Sequence, residues 1–311
     1  MADFDRPALV QFAQDSISRG SKSFRFASRL FDRITRERVW LLYAWCRKCD
    51  DMADGQDHGG AMAAVTDPQE SLAAIRTLTA AALAGTPTGE PAFDCLGVVA
   101  RECGITARMA EDVIEGFALD AADWHPRRES DLYQYCYHVA GAVGVMMAVV
   151  MGVPADDDAT LDRACDLGLA FQLANIARDI AEDDAAGRCY LPDDWLATLD
   201  IGPGEHMKPH NRKKLALMGR WLADEAEQYE ASARVGAAHL PLRARWAVLS
   251  AAGIYGEIAR KVRAADSHAW DQRIFTSRPE KFRWVRKAFV DAVANNPRAM
   301  DRDAFWTRTR V

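Results

Sequence analysis

The stretch LGLAFQLANIARDIAEDD, from Leu167 to Asp184, carries an apolar and a polar helix face in one segment. Its apolar residues recur at the spacing of a helix that lies centrally in a domain. Residues three and four apart share one face of a helix. This spacing predicts a continuous polar stripe made of Gln172, Asn175, Asp179 and Asp183. Arg178 lies beside that stripe.

The same helical periodicity continues along nearly the whole chain, and no convincing stretch alternates as a β-strand does. Proline and glycine separate the periodic segments. We expect helices at about 7–19, 34–55, 69–84, 91–103, 106–120, 129–151, 157–185, 210–235, 241–265 and 280–294. No low-complexity linker interrupts them. The pattern predicts an all-α protein with one domain over residues 1–311.

A second acidic segment lies earlier, in YAWCRKCDDMAD from Tyr43 to Asp54. Helical spacing places Tyr43, Arg47, Asp50 and Asp54 on one side, with Asp51 offset from the one-turn aspartate pair. Like charges four residues apart destabilise a helix by roughly 0.2–0.5 kcal/mol per pair. Both acidic groups also lie near helix C-termini, where the macrodipole disfavours anions. Neither arrangement favours folding, so a ligand is indicated.

A divalent cation bound by several carboxylate oxygens would remove this penalty. Mg²⁺, with Mn²⁺ as a substitute, fits because it takes few carboxylates and completes its shell with water and phosphate oxygens. A solvated acidic helix end is the simpler reading of either motif alone. Paired carboxylates for glycoside hydrolysis are another. Two motifs, each with a neighbouring arginine, favour a metal–diphosphate clamp.

Three further segments suit a long apolar substrate that bears diphosphate. GSKSF, from Gly20 to Phe24, places hydroxyls and an ammonium at a helix boundary, where phosphate can bind, although an ordinary cap has the same composition. YCYHVAGAVGVMMAVV, from Tyr135 to Val150, has glycines inside a helix, each costing about 1 kcal/mol relative to alanine. Close packing or a ligand would explain them. GRCYLP, from Gly187 to Pro192, follows the second acidic helix.

The composition excludes several classes of function. The chain has 311 residues and a net charge of −6, which argues against nucleic acid as the main partner. No apolar run reaches the length of about 18 residues that a membrane span needs, and the N-terminus lacks the order of a signal peptide. We expect a cytoplasmic protein. Peripheral membrane contact is left open, although no predicted helix shows a basic polar face.

Cysteine usage fits a reducing compartment. The seven cysteines are irregularly spaced, which favours buried thiols over a disulfide framework. Cys46 and Cys49 form a C-x-x-C without a second pair. We interpret them as small packing residues of a helix.

Together these motifs resemble the squalene/phytoene synthase family of head-to-head prenyl transferases. YAWCRKCDDMAD is similar to the family's first aspartate-rich motif, YCYHVAGAVG to its first signature, and LGLAFQLANIARDIAEDDAAGRCYLP, Leu167 to Pro192, to its second. The likeness covers most of the chain, to about Lys281. It implies an α-helical isoprenoid synthase bundle around a central active-site cavity.

The resemblance also implies roles for individual residues. It implies Mg²⁺ ligation by Asp50, Asp54, Asp179 and Asp183, with Asn175 and Arg178 beside them. It implies diphosphate contacts from Arg47, Ser21 and Ser23. It implies an isoprenoid channel lined by Tyr43, Phe24, Gln172, Tyr135, Val139, Ala140, Gly144 and Tyr255. It implies phosphate contacts near the mouth from Arg188, Tyr190, Arg273 and Lys281.

The implied reaction joins two molecules of geranylgeranyl diphosphate to phytoene through a cyclopropyl intermediate. No NADPH is expected for this product, and the lack of an evident nucleotide-binding glycine motif agrees with that. Two alternatives stay open. The same fold could use farnesyl diphosphate and give a C30 product, because sequence does not show channel depth. A non-catalytic helical assembly protein is the other, which the intact aspartates disfavour. The oligomeric state is not predicted.

Overall fold

The computed structural model describes residues 4–20, 27–54, 68–122 and 124–310. These residues form helices and connecting loops without any β-strand, so the prediction of an all-α fold is confirmed. The chain divides into two compact units. The first contains Met1–Ala122 and Val145–Asp157, and the second contains Asp123–Gly144 and Asp158–Val311.

The first unit is built on the helix that carries the first acidic motif. Its helices are α1 (Arg6–Gly20), α2 (Arg33–Asp54), α3 (Pro68–Leu83), α4 (Pro91–Cys103) and α5 (Ala107–Ala121). Fully buried Trp45 of α2 donates from Nε1 to Thr79 Oγ1 at 3.2 Å, which joins α2 to α3. Arg6 of α1 joins Glu37 of α2 at 2.8 Å and Glu102 of α4 at 2.5 Å. α2 is therefore held by neighbours on several sides.

Proline and capping residues set the limits of these helices. Pro91 occupies the first turn of α4, where no intrahelical N–H bond is lost. The helix ends at Gly104, whose φ of +79° is the left-handed conformation that glycine adopts without strain. Thr106 then caps α5 by accepting from the backbone N–H of Met109. These breaks lie close to those predicted from sequence.

The second unit is organised around the long helix that carries the second acidic motif. Its elements are α6 (Glu129–Cys136), a π-helix (Tyr137–Gly141), the start of α7 (Ala142–Val150), α8 (Asp158–Ala185), α9 (Asp193–Thr198), α10 (Arg212–Ala237), α11 (Leu242–Ala265) and α12 (Arg278–Ala294). α8 packs against α10, α11 and the π-helix. The prediction of one continuous helix over 129–151 is wrong at the π-helix.

Close backbone packing accompanies the π-helix. A Cβ atom at Gly168 of α8 would lie 2.4 Å from the carbonyl oxygen of Ala140 and 2.6 Å from Cα of Gly141. A Cβ atom at Gly144 would lie 2.6 Å from the carbonyl oxygen of Ala164. Only glycine permits these approaches, so the glycines noted inside this helix serve helix–helix contact.

Residues 296–310, here called the C-terminal strap, lie along the first half of α8. Arg302 holds Asp166 with two hydrogen bonds, 2.6 Å from Nη2 to Oδ1 and 2.8 Å from Nε to Oδ2. Arg308 reaches Asp158 at 2.5 Å, and both Arg308 and Arg310 pair with Asp162. Asp162 and Asp166 are only 1% and 0% exposed. The strap therefore neutralises two carboxylates that would otherwise be buried without a counter-charge.

Candidate active site

The first acidic motif occupies the C-terminal part of α2. Arg47 lies between two carboxylates, with Nη1 2.8 Å from Asp50 Oδ2 and Nη2 2.6 Å from Asp51 Oδ1. Asp51 is buried, whereas the side chain of Asp50 is 43% exposed. Arg47 thus neutralises the buried Asp51, and Asp50 keeps the more accessible carboxylate. Asp54 ends the helix, and its side chain lies outside the described part.

Arg47 has capacity for a further anion. Its Nε is buried and has no hydrogen-bond partner among the residues that the structure describes. Burial lowers the pKa of Arg47, but the hydrogen bond to Asp51 and the charge of Asp50 outweigh this, so its pKa is raised and the guanidinium is charged. A diphosphate oxygen is an acceptor suited to such a donor. Tyr43 lies one turn earlier, half-buried, and burial raises the pKa of its phenol.

The second acidic motif lies in the last three turns of α8. Arg178 forms a two-pronged ion pair with the neighbouring Asp179, with Nε 2.7 Å from Oδ1. Arg273, from the segment before α12, reaches Asp179 Oδ1 at 3.0 Å and Glu182 Oε1 at 3.1 Å. Asp184 instead contacts buried His206 at 3.3 Å. The structure therefore brings the predicted residues Arg178, Asp179 and Arg273 together.

The pKa of Asp183 is raised, as expected for a carboxylate that lies near a second carboxylate. Burial, followed by the charge of Asp179, raises the pKa of Asp183 to about 6, and Arg188 opposes the rise. A cation shared by the two carboxylates would relieve this repulsion. Among the described residues no group of three or more His, Cys, Asp or Glu side chains is placed to hold a metal alone. The two carboxylates of Asp179 and Asp183 fit a hard ion that draws its other ligands from water and phosphate, as Mg²⁺ does.

Aromatic side chains of the second unit form two stacks. The rings of Trp124, Tyr135 and Tyr190 stack in a row, with centroids 5.2 Å and 4.9 Å apart. Phe171 of α8 stacks on Tyr255 of α11 at 4.2 Å. The rows contain the predicted residues Tyr135, Tyr190 and Tyr255. Ring faces of this kind stabilise a neighbouring carbocation.

The other predicted site residues are placed as follows. Gln172 and Asn175 are half-buried on α8, as are Val139 and Ala140 in the π-helix and Gly144 in α7. Arg188 is exposed in the loop after α8. Lys281 lies on α12, directly after Glu280. Ser21, Ser23 and Phe24 lie outside the described residues.

Sequence reasoning missed several residues at this site. Trp124 lies outside the quoted motifs, yet it ends the aromatic row. Trp270 donates from Nε1 to the carbonyl oxygen of Ala177 at 3.0 Å, two residues before Asp179. Glu182 was not among the predicted site residues, although it shares Arg273 with Asp179. The pairing with Trp270 joins residues 93 positions apart, which periodicity along one helix does not reveal.

The cysteine pair of α2 has no sign of redox or metal chemistry. Cys46 and Cys49 are free thiols, and Cys49 is fully buried. Burial raises the pKa of both, which disfavours the thiolate that metal binding or exchange requires.

The fold is all-helical, each unit carries an aspartate-rich helix end with arginine beside its carboxylates, and aromatic rings stack in the second unit. These features define the class of α-helical isoprenoid synthases. The model of the squalene/phytoene synthase family matches residues 17–280. The chain belongs to the squalene/phytoene synthase family.

Individual relatives agree with this membership. A phytoene synthase of Pseudescherichia vulneris is 46% identical over 307 residues, which cover 97% of this chain and 99% of the relative. A 15-cis-phytoene synthase of Pantoea ananas is 46% identical over 297 residues, covering 95% and 96%. Among solved structures, a dehydrosqualene synthase in complex with ligand has a TM-score of 0.81 at 26% identity, covering 93% of this chain and 98% of that one. The predictions of the family, the fold and a prenyltransferase of the phytoene synthase type are confirmed.

Proposed function

We propose that this chain condenses two molecules of geranylgeranyl diphosphate head to head, through prephytoene diphosphate, to phytoene with release of two diphosphates. Family membership supports an isoprenyl diphosphate as substrate. The C20 chain length is the finer part of the proposal, supported by phytoene synthases that are 46% identical.

One observation carries the proposal for the site. Gln172, Asn175, Asp179 and Asp183 follow one face of α8, and Asp179 is paired with both Arg178 and Arg273. Carboxylates and guanidinium groups side by side suit a cation–diphosphate complex, because each charge on the ligand finds its opposite. A solvated helix end would not need two arginines on a carboxylate that is mostly buried.

The first chemical step breaks the bond between C1 of one substrate and its diphosphate, which leaves with the electron pair. Asp50 and Asp54 are the proposed Mg²⁺ ligands of α2, and Asp179, Asp183 and Asn175 are those of α8. When bound, Mg²⁺ would neutralise negative charge that develops on the departing diphosphate. Arg47 would donate its unpaired Nε–H to a diphosphate oxygen.

The allyl cation is then attacked by the C2–C3 double bond of the second substrate, and proton loss gives the cyclopropyl diphosphate. A second ionisation, rearrangement and proton loss give phytoene. The aromatic rows that contain Tyr135 and Tyr255 would present ring faces to these cations. Apolar walls would also exclude the water that quenches a cation.

The substrate and product have long apolar chains, so we also propose, separately from the reaction, peripheral contact with a membrane. No helix among the described residues has the length and hydropathy to cross a bilayer.

Product analysis with two substrate lengths tests the proposal. Purified protein with Mg²⁺ receives geranylgeranyl diphosphate or farnesyl diphosphate, and the hydrocarbon is identified by mass spectrometry. We expect a C40 hydrocarbon from the C20 substrate and faster turnover of that substrate than of the C15 one. Faster formation of a C30 hydrocarbon would replace the C20 assignment with the farnesyl alternative. No hydrocarbon from either substrate would favour the non-catalytic alternative.

A further inference from the structure

The last helix, α12, leaves large apolar side chains on the outside of the molecule. Phe282, Phe289, Val290 and Val293 are 65%, 46%, 64% and 58% exposed. Residues four, seven and eleven apart share a helix face, so Phe282, Phe289 and Val293 form one stripe with Val290 at its edge. An adjoining face contributes Ala288 and Ala292 to the core, and the helix packs on α11. We call these four exposed residues the α12 stripe.

Basic residues surround the α12 stripe. The helix contains Arg278, Lys281, Arg283, Arg286 and Lys287 against Glu280 and Asp291, so five positive and two negative charges give it +3 in a chain of −6. The prediction that no helix shows a basic polar face is therefore wrong for α12. That prediction fails because the basic residues alternate with apolar ones, and only the structure shows which of them are exposed.

The two acidic residues of α12 are already paired. Glu280 accepts from Lys261 Nζ at 2.7 Å, and Asp291 pairs with Lys287 at 2.9 Å. Arg278 and Arg286 are exposed and form no ion pair with any residue in the described ranges. By helical spacing Arg286 lies within the stripe, between Phe282 and Val290. The exposed face is thus apolar and positive at once.

We propose that α12 docks this chain on the surface of an anionic lipid bilayer, with the α12 stripe inserted among the headgroups. A helix with Phe and Val on one face and arginine and lysine around it is the chemistry of interfacial binding. Anionic lipids attract each basic residue near the surface. A second copy of the same face would bring positive charge against positive charge, which disfavours self-association through α12.

The position of α12 in the chain links docking to the site. The segment before it contains Phe275, 68% exposed, and Arg273, which contacts Asp179. Both residues line one open groove of about 460 Å³, together with Ile274 and Lys261. The docking surface therefore adjoins, along the chain, a groove whose arginine reaches the second acidic motif. The benefit of docking rests on the proposed function, because an isoprenoid substrate and product reside in the bilayer. The binding itself does not.

Vesicle sedimentation with the full chain tests this proposal. The probes are vesicles of phosphatidylcholine mixed with phosphatidylglycerol, and vesicles of phosphatidylcholine alone. We expect the wild type to sediment with the anionic vesicles and to be released by high salt. Phe282→Ser with Val290→Ser, and separately Arg286→Glu, should each weaken the apparent affinity about tenfold or more. Ile34→Ser is the matched control, since Ile34 is 58% exposed on α2, and it should bind as the wild type does.

Three outcomes would overturn the proposal. They are a wild type that stays in the supernatant with anionic vesicles, α12 variants that sediment like the wild type, and an Ile34→Ser variant that loses binding equally. Analytical ultracentrifugation without lipid detects an α12-dependent dimer, and such a dimer without vesicle binding would assign the face to self-association. Turnover of substrate dispersed in detergent is measured for every variant. It should stay within about twofold of the wild type, so a failure of docking is separate from a failure of the proposed function.

Discussion

Replacing Arg302 with alanine removes the guanidinium that holds Asp166. Arg302 comes from the C-terminal strap and donates to both oxygens of Asp166, a carboxylate with no exposed surface. Ser232 Oγ donates to the same carboxylate at 2.5 Å and would remain. The variant therefore leaves a buried negative charge with one neutral hydrogen bond.

The size of the effect follows from the burial of the pair. Removing one partner of a buried ion pair destabilises a protein by about 3–5 kcal/mol. Because the Ser232 bond persists and Asp166 can take up a proton, we expect the lower end, about 3 kcal/mol. That is a large part of a typical unfolding free energy of about 5–15 kcal/mol.

Urea unfolding measures the free energy of unfolding of Arg302→Ala and its controls. Far-UV circular dichroism and tryptophan fluorescence are followed together, since coincident transitions are needed for a two-state free energy. Arg298→Ala is the matched control, because Arg298 is exposed in the same strap, and it should change stability by less than about 0.5 kcal/mol. Arg302→Met combined with Asp166→Asn should recover most of the loss, as no charge is left buried.

The destabilisation should depend on pH. Burial raises the pKa of Asp166, and the hydrogen bonds and charge of Arg302 oppose that rise. Without Arg302 the pKa of Asp166 in the folded state rises further above its unfolded value. Stability from such a group is present at low pH and is lost as pH rises through the folded pKa. The difference from wild type should be smaller near about pH 5 than near about pH 8. Equal stability of Arg302→Ala and Arg298→Ala at both pH values would refute the reasoning.

Three shorter predictions concern the site and its packing. Gly168→Ala brings a Cβ atom against the carbonyl oxygen of Ala140 and should lower the free energy of unfolding by about 1–3 kcal/mol; an unchanged urea midpoint would contradict the close approach. Asp179→Asn and Asp183→Asn should each lower kcat about 10²–10³-fold at saturating Mg²⁺, whereas exposed Asp194→Asn should stay within about twofold of the wild type. Equal kcat values in all three variants would remove α8 from the site. Excess chelator should stop product formation while the circular dichroism spectrum persists; full turnover in chelator would exclude the metal.

The second acidic helix is the element that local sequence patterns predicted most completely. Gln172, Asn175, Asp179 and Asp183 lie on one helix, as their spacing predicted, because helical periodicity is a local property. Proline at the first turns of α3 and α4 likewise agrees with the predicted breaks. The roles of these residues and the single-domain organisation stay predictions.

Local sequence patterns did not predict the contacts between residues that are distant along the chain. The strap pairs Arg302 with Asp166, 136 positions away, and no pattern within the strap indicates its partner. The π-helix at Tyr137–Gly141 interrupts a segment whose periodicity is that of one helix, and it coincides with the approach of Gly168 from α8. These features depend on tertiary packing, which a local spacing rule does not contain.

The stoichiometry of the reaction tests the central claim most directly. Purified protein with Mg²⁺ and radiolabelled geranylgeranyl diphosphate is run to partial conversion, and released diphosphate and hydrocarbon are measured in the same sample. A head-to-head condensation predicts two diphosphates for each C40 hydrocarbon at late times, with prephytoene diphosphate as a transient species at early times. One diphosphate for each C20 alcohol or C20 hydrocarbon, with no C40 product, would contradict the account.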